Sequence, residues 1–162
     1  MKLKSPTIGP IVGWTTSESV RLWARGKRSK KKRTFGVVRI RKKGEAEFGA
    51  PKVVKMMPTF DYTAIADFKG LDPDQEYEYQ FGYFFAEGEP DEQVVDPVNR
   101  WDRVASGCFK TALPAAAENV SFVFGSCRYL LKLFGGSFFD GRGDKTFRSI
   151  NRQIGAGTAT EF

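Results

Sequence analysis

Histidine is absent from this chain, and that absence narrows the chemistry the other residues can do. Histidine is the commonest metal ligand and a frequent general base. Histidine triads, zinc-protease helices and histidine-rich dinuclear sites are therefore excluded within these 162 residues. Walker-type and dinucleotide-binding glycine loops are absent as well, the 17 glycines being scattered through turn-like stretches. Three groups of charged or reactive side chains remain. Lys27 to Arg33 puts six cations in seven residues. Gly125-Ser126-Cys127 closes an apolar run that begins at Val120. Asp140 and Asp144 stand in the glycine-rich stretch FDGRGDK.

The basic run lies between two strand-like stretches, so it reads as a hairpin tip. Two roles are open for it. It can contact phosphates of an anionic partner with a salt-dependent affinity, or it can be a solvated loop whose lysines protect a sheet edge. Base stacking needs aromatic residues among the cations. The run has none, so nucleic acid is not the expected partner. The net charge of +7 implies attraction to anions in general. Asp140 begins a turn and Asp144 stands where a helix N-cap would, so neither is expected to ligate a metal. Cys108 and Cys127 are too few for a disulfide framework and sit in different sequence contexts.

These residues need elements to hold them. With 41% hydrophobic and 14% aromatic residues, 15 of them Phe, the chain can build a packed core and does not read as disordered. Its length suits one domain plus a fragment of a second. No apolar run approaches the ~20 residues that span a bilayer, and MKLKSPTIGP at the start has no apolar signal core. The expectation is a soluble chain with no membrane span and no signal peptide in this stretch. The compartment stays open between cytoplasm and secretion after loss of a leader.

Up to Pro114 the chain alternates like strands and is punctuated like turns. Strands are expected over 8–14, 19–25, 34–43, 45–57, 62–71, 71–85 and 106–114. In Ser19 to Arg25, alternation puts Val20, Leu22 and Ala24 on one face and Ser19, Arg21 and Trp23 on the other. A bulge, or a sheet covered on both sides, would be needed to bury Trp23. Past Pro73-Asp74, a turn, Tyr77, Tyr79, Phe81 and Tyr83 share one face. Turn signals every ~8–12 residues indicate an antiparallel sandwich.

Residues 114–119 read as a linker, with Pro114 unable to pair in a ladder. After it the pattern changes. VSFVFGSC is a nearly continuous apolar run, as in a strand buried on both faces of an α/β sheet. A loop follows, then a helix with Asp144 at its N-cap, Phe147, Ile150 and Ile154 on one face, and Gly155 past its end. Residues 1–113 thus read as a β-sandwich and 120–162 as the opening β-loop-α of an α/β domain. In a longer parent its apolar face would be covered by the rest of the sheet. In this chain it is expected to fold back on the sandwich, self-associate through the tail, or stay mobile and open to protease after Pro114.

The spacing Leu71, Pro73, Tyr77 resembles the corner of fibronectin type III domains, where the tyrosine hydroxyl bonds back to the backbone. In that resemblance Trp23 matches the core tryptophan of the second strand, and FKTALP the last strand and exit. GPIVGWTTSESVRLWARG, FKTALP and FVFGSCRY, in that order, resemble the PhoD-like alkaline phosphatase and phosphodiesterase family. They match its fibronectin-like N-terminal domain, the exit from it and the first strand of its metallophosphatase domain. The resemblance implies phosphoester hydrolysis dependent on calcium and iron in the full-length protein. It places the family's iron-ligating cysteine on Cys127. The remaining ligands, in a Gly-Asp-x-x-Tyr motif and later Asp, Asn and His residues, have no match here. This chain is therefore expected to be the non-catalytic N-terminal portion, with phosphoester substrate and the rest of the phosphatase domain as partners of the whole. Two alternatives stay open from the residues themselves. Cys127 can be a small buried residue rather than a ligand, and the chain can be an independent fibronectin-like binding module whose basic loop contacts anions.

Overall fold

A computed structural model describes residues 2–90, 101–114, 131–133, 136–138, 148–150 and 152–153. The chain divides into two compact units, Met1–Ala116 and Ala117–Phe162. Among the described residues of the first, seven strands run β1 (Ile8–Thr15), β2 (Ser19–Arg25), β3 (Arg33–Lys42), β4 (Lys52–Met56), β5 (Thr63–Lys69), β6 (Glu76–Ala86) and β7 (Ala105–Lys110). They form two antiparallel sheets, β1-β2-β5 and β4-β3-β6-β7. This is an immunoglobulin- or fibronectin-like sandwich. Turns Pro58–Phe60 and Trp101–Arg103 are short 3-10 helices.

The alternation in β2 decides what faces the core. Val20, Leu22 and Ala24 are fully buried and pack with Ala64 and Ala66 of β5 against Tyr77, Tyr79, Phe81 and Tyr83 of β6. All four β6 aromatics face inward, as their spacing requires. Trp23 does not. It is only half-buried, and its neighbours across the ladder, Ile11 and Ile65, are 52% and 55% exposed. The placing of Trp23 in the core by family likeness is thus corrected. The β2–β5 register runs unbroken from Ser19 to Arg25, so strict alternation keeps Trp23 outside. The register shifts lie on the other side, in β1.

The outer side of the four-stranded sheet carries a second, smaller core of Leu3, Phe35, Val37, Phe84 and Trp101. Beyond the start of β7, where Ala105 pairs with Phe81, the N-terminal segment takes its place beside β6, with Lys4 and Tyr83 exchanging both backbone hydrogen bonds at 2.9 Å. β6 is therefore buried on both faces from Phe81 to Phe84. Gly82 makes this possible, because a Cβ there would lie 2.6 Å from Val104 Cγ1.

The β5–β6 connection is the corner anticipated by Leu71, Pro73 and Tyr77. The Asp72 N–H donates to Tyr77 Oη at 2.9 Å. The buried Thr111 hydroxyl donates to the Asp72 carbonyl at 2.6 Å and accepts the Gln75 N–H at 2.9 Å. Leu71 N–H reaches the Glu18 carbonyl, Asp74 N–H the Ala112 carbonyl, and Ala112 N–H the Thr16 carbonyl, at 3.0, 3.1 and 3.0 Å. Three separate stretches of chain are tied together at this end. The Tyr77 ring stacks on Phe109 with centroids 5.3 Å apart.

In the second unit, β8 (Leu131–Leu133) and β9 (Gly136–Phe138) form an antiparallel hairpin. This hairpin lies within the stretch read as the loop between strand and helix. Residues 148–150 and 152–153 are helical, inside the stretch read as helix. The apolar run Val120 to Cys127 and the Asp144 cap lie outside the described residues.

Replacing Tyr77 by Phe removes the acceptor of the Asp72 N–H and is expected to cost about 1–2 kcal/mol, read as a lower urea midpoint at unchanged m-value. The Tyr79 hydroxyl has no hydrogen-bond partner among the described residues, so Tyr79→Phe should change stability by less than about 0.5 kcal/mol. Equal shifts for the two would contradict the corner.

Candidate functional site

The residues singled out in the sequence fall in different places. Cys127, Asp140 and Asp144 lie outside the described residues. Among the described residues no group of three or more Cys, Asp or Glu side chains is placed to hold a metal ion. Cys108 is a free thiol, exposed on β7 opposite Glu78. The basic run is fully described.

It forms the β2–β3 connection, and its root is built from backbone. Gly26 N–H donates to the Tyr62 carbonyl at 2.9 Å, joining this loop to the β4–β5 turn. The hydroxyls of Thr7 and Thr34 donate to the carbonyls of Gly26 and Lys27 at 2.9 and 3.0 Å. At the tip, Ser29 Oγ accepts the N–H groups of Lys31 and Lys32, a local turn of the kind serine favours.

Carboxylates divide the run into two classes. Lys32 pairs with Glu87 at 3.3 Å, and Arg33 with Glu89 at 2.8 Å. Lys55 of β4 joins the same Glu89 carboxylate at 2.9 Å. Lys27, Arg28, Lys30 and Lys31 are exposed and have no carboxylate partner among the described residues. Four cations therefore project together from one tip, while the two nearest the strands are compensated. The hydrogen bond from Lys55, with the charges of Lys55 and Arg33, holds the Glu89 carboxyl below the ordinary glutamate value of 4.5.

A second polar cluster, which sequence reading missed, lies on the outer face of the four-stranded sheet. Arg41 pairs with Glu78 at 2.6 Å and Arg39 with Gln80 at 2.8 Å. The Arg39 guanidinium lies 4.5 Å from the Phe48 ring centre and 4.1 Å from that of Trp101. Arg41, Glu78 and Cys108 edge a shallow cavity of about 410 Å³. Each guanidinium there already has a polar partner across the ladder, so the cluster reads as structural, covering the sheet with stacked arginine in place of aliphatic side chains. The alternation of Arg39 and Arg41 was visible. Phe48, in the loop before β4, carried no pattern that would place it over them.

No protein-family model matches the chain, and no curated protein matches it. Among solved structures it is similar to one of PhoD, at 17% identity and a TM-score of 0.46, over 67% of this chain and 19% of that one. It is also similar to a computationally redesigned β-sandwich protein, at 13% identity and a TM-score of 0.39, over 70% of this chain and 96% of that one. A third is the sensor domain of the anti-sigma factor RsgI4 from Pseudobacteroides cellulosolvens, at 14% identity and a TM-score of 0.41, covering 69% and 96%. The chain spans about a fifth of the PhoD structure's length.

Glu89 offers a direct check of the charge arrangement. Its side-chain signal should titrate below 4.5, and Lys55→Met should move it back up toward that value. Because the folded value is the depressed one, the small stabilising contribution is present above pH 4.5 and is lost as pH falls through the folded value. An unchanged titration in Lys55→Met, followed by carboxyl NMR, would contradict the pairing.

Proposed function

We propose that this chain is the N-terminal, non-catalytic portion of a PhoD-like metal-dependent alkaline phosphatase or phosphodiesterase. One observation carries the reading. The sandwich is sealed at Thr111 and Ala112, and only the five residues 115–119 separate Pro114 from Val120, which opens the run that ends in Ser126-Cys127. A fibronectin-like sandwich followed at once by an apolar run ending in Ser-Cys is the order of sequence that the PhoD-like family resemblance implies.

In this reading the sandwich is a scaffold, and phosphoester substrate is met by the rest of the phosphatase domain. Calcium and iron would supply Lewis-acid polarisation of the phosphoryl group and activation of a nucleophile when bound. The described residues do not form a site for either ion. Cys127 alone is assigned as a ligand, of iron, and a single thiolate cannot hold the metal. No catalytic step is therefore assigned to a residue of this chain. In this reading Cys127 would be a donor at the carboxyl end of the first strand of the phosphatase domain, the place where ligands gather in open α/β sheets.

The purified chain should show no metal-dependent turnover of p-nitrophenyl phosphate or of a bis-ester analogue. A chain extended through a downstream Gly-Asp-x-x-Tyr motif should show it with calcium and iron, and should lose both activity and bound iron on Cys127→Ala. Turnover by the present chain, or an extended chain that keeps its iron in Cys127→Ala, would overturn the reading.

A further inference from the structure

The end of the sandwich that carries the basic tip also exposes apolar side chains. The turn between β4 and β5 holds Phe60, 63% exposed, and Met57, 38% exposed; Ile8, 49% exposed, starts β1 at the same end, paired with Arg25 across the ladder. These groups are tied to the cationic loop by hydrogen bonds. Arg25 donates to the Asp61 carbonyl at 3.2 Å and pairs with its carboxylate at 3.0 Å, and Gly26 N–H donates to Tyr62. The 3-10 turn is itself closed by the Phe60 and Tyr62 N–H groups on the Met57 carbonyl at 3.1 and 3.0 Å. Phe60 is thereby held out beside the root of the loop that carries Lys27, Arg28, Lys30 and Lys31.

Among the described residues, the charge left uncompensated at this end is positive. Each described carboxylate nearby is already matched: Asp61 by Arg25, Glu87 by Lys32, and Glu89 by Arg33 and Lys55. What is left facing outward is four cations and an apolar cluster. We propose that this end of the sandwich docks on an anionic phospholipid surface, with Phe60 and Met57 entering the interface and the four cations contacting lipid phosphates. Apolar side chains inserted to the headgroup boundary and basic residues drawn to anionic lipid are the two contributions that together hold a peripheral protein on a membrane. A single-stranded nucleic acid fits less well. It calls for a basic groove with aromatic residues spaced along it for stacking, whereas here the cations stand on one loop and the apolar residues, aliphatic as well as aromatic, on another.

Co-sedimentation with phosphatidylcholine vesicles, with and without phosphatidylserine, tests this. The chain should bind only the phosphatidylserine vesicles, and more weakly as salt rises. Replacing Lys27, Arg28, Lys30 and Lys31 by Gln should weaken binding at least about tenfold. Phe60→Ser should weaken it about tenfold with the salt dependence kept, and Phe60→Leu should retain it. A control replaces Lys42, Lys43, Lys69 and Lys110, at the opposite end, by Gln and should bind nearly as well as the parent. Urea midpoints confirm that each variant is folded. The proposal is overturned if vesicle binding is absent, if the control loses as much as the tip variant, or if a single-stranded oligonucleotide displaces the vesicles with the same dependence on Phe60.

Discussion

The chain must cross from the three-stranded to the four-stranded sheet between Lys69 and Glu76, and the backbone polar groups of that crossing need partners at a half-buried position. Tyr77 and Thr111 supply them to the same residue, the first to the Asp72 N–H and the second to its carbonyl. Thr111 also takes the Gln75 N–H. A hydroxyl is suited to this because it can donate and accept at once. The hydrogen bonds of Leu71 to Glu18 and of Ala112 to Thr16 then draw in the β1–β2 turn. The spacing of the two sheets, and so the depth at which Tyr77, Tyr79 and Phe81 meet Val20 and Leu22, follows from this closure.

That closure gives the two ends of the sandwich different work. At one end the connections are knitted to each other and to the exit at Pro114. At the other end the β2–β3 and β4–β5 loops are joined at their roots, by Gly26 and Tyr62, while their tips stay open. Binding groups belong on such tips because a rigid scaffold positions them without the tips having to pack. The proposed scaffold role in a phosphatase uses the first end, and the membrane contact uses the second. Neither requires chemistry of the sandwich itself.

How much of this was legible depends on the distance over which each signal acts. Tyr77 could be read because the corner lies within a few residues, and the inward set Tyr77, Tyr79, Phe81 and Tyr83 because alternation is local. The partners of the basic run could not, since Glu87 and Glu89 reach it only through the pairing of Arg33 with Ala86 across β3 and β6. Thr111 was invisible for the same reason, as a lone threonine after a strand has no pattern. At Trp23, plain alternation was right and the likeness to a family's core tryptophan was misleading. β4 is shorter than the 45–57 expected because Pro51, which has no N–H to give, ends the regular β3–β4 register at Lys52, although Gly49 N–H still reaches the Ile40 carbonyl at 2.9 Å. The Cys127 assignment rests on resemblance alone.

The account depends most on Tyr77 and Thr111 acting as one device, and a double-mutant cycle in urea measures that directly. Tyr77→Phe, Thr111→Val and the double variant are compared with the parent chain. If both hydroxyls hold Asp72 in one geometry, losing either should loosen the other's bond, and the double variant should lose less than the sum by at least about 0.5 kcal/mol. Strictly additive losses, or two single losses near zero, would contradict the claim that this corner closes the sandwich.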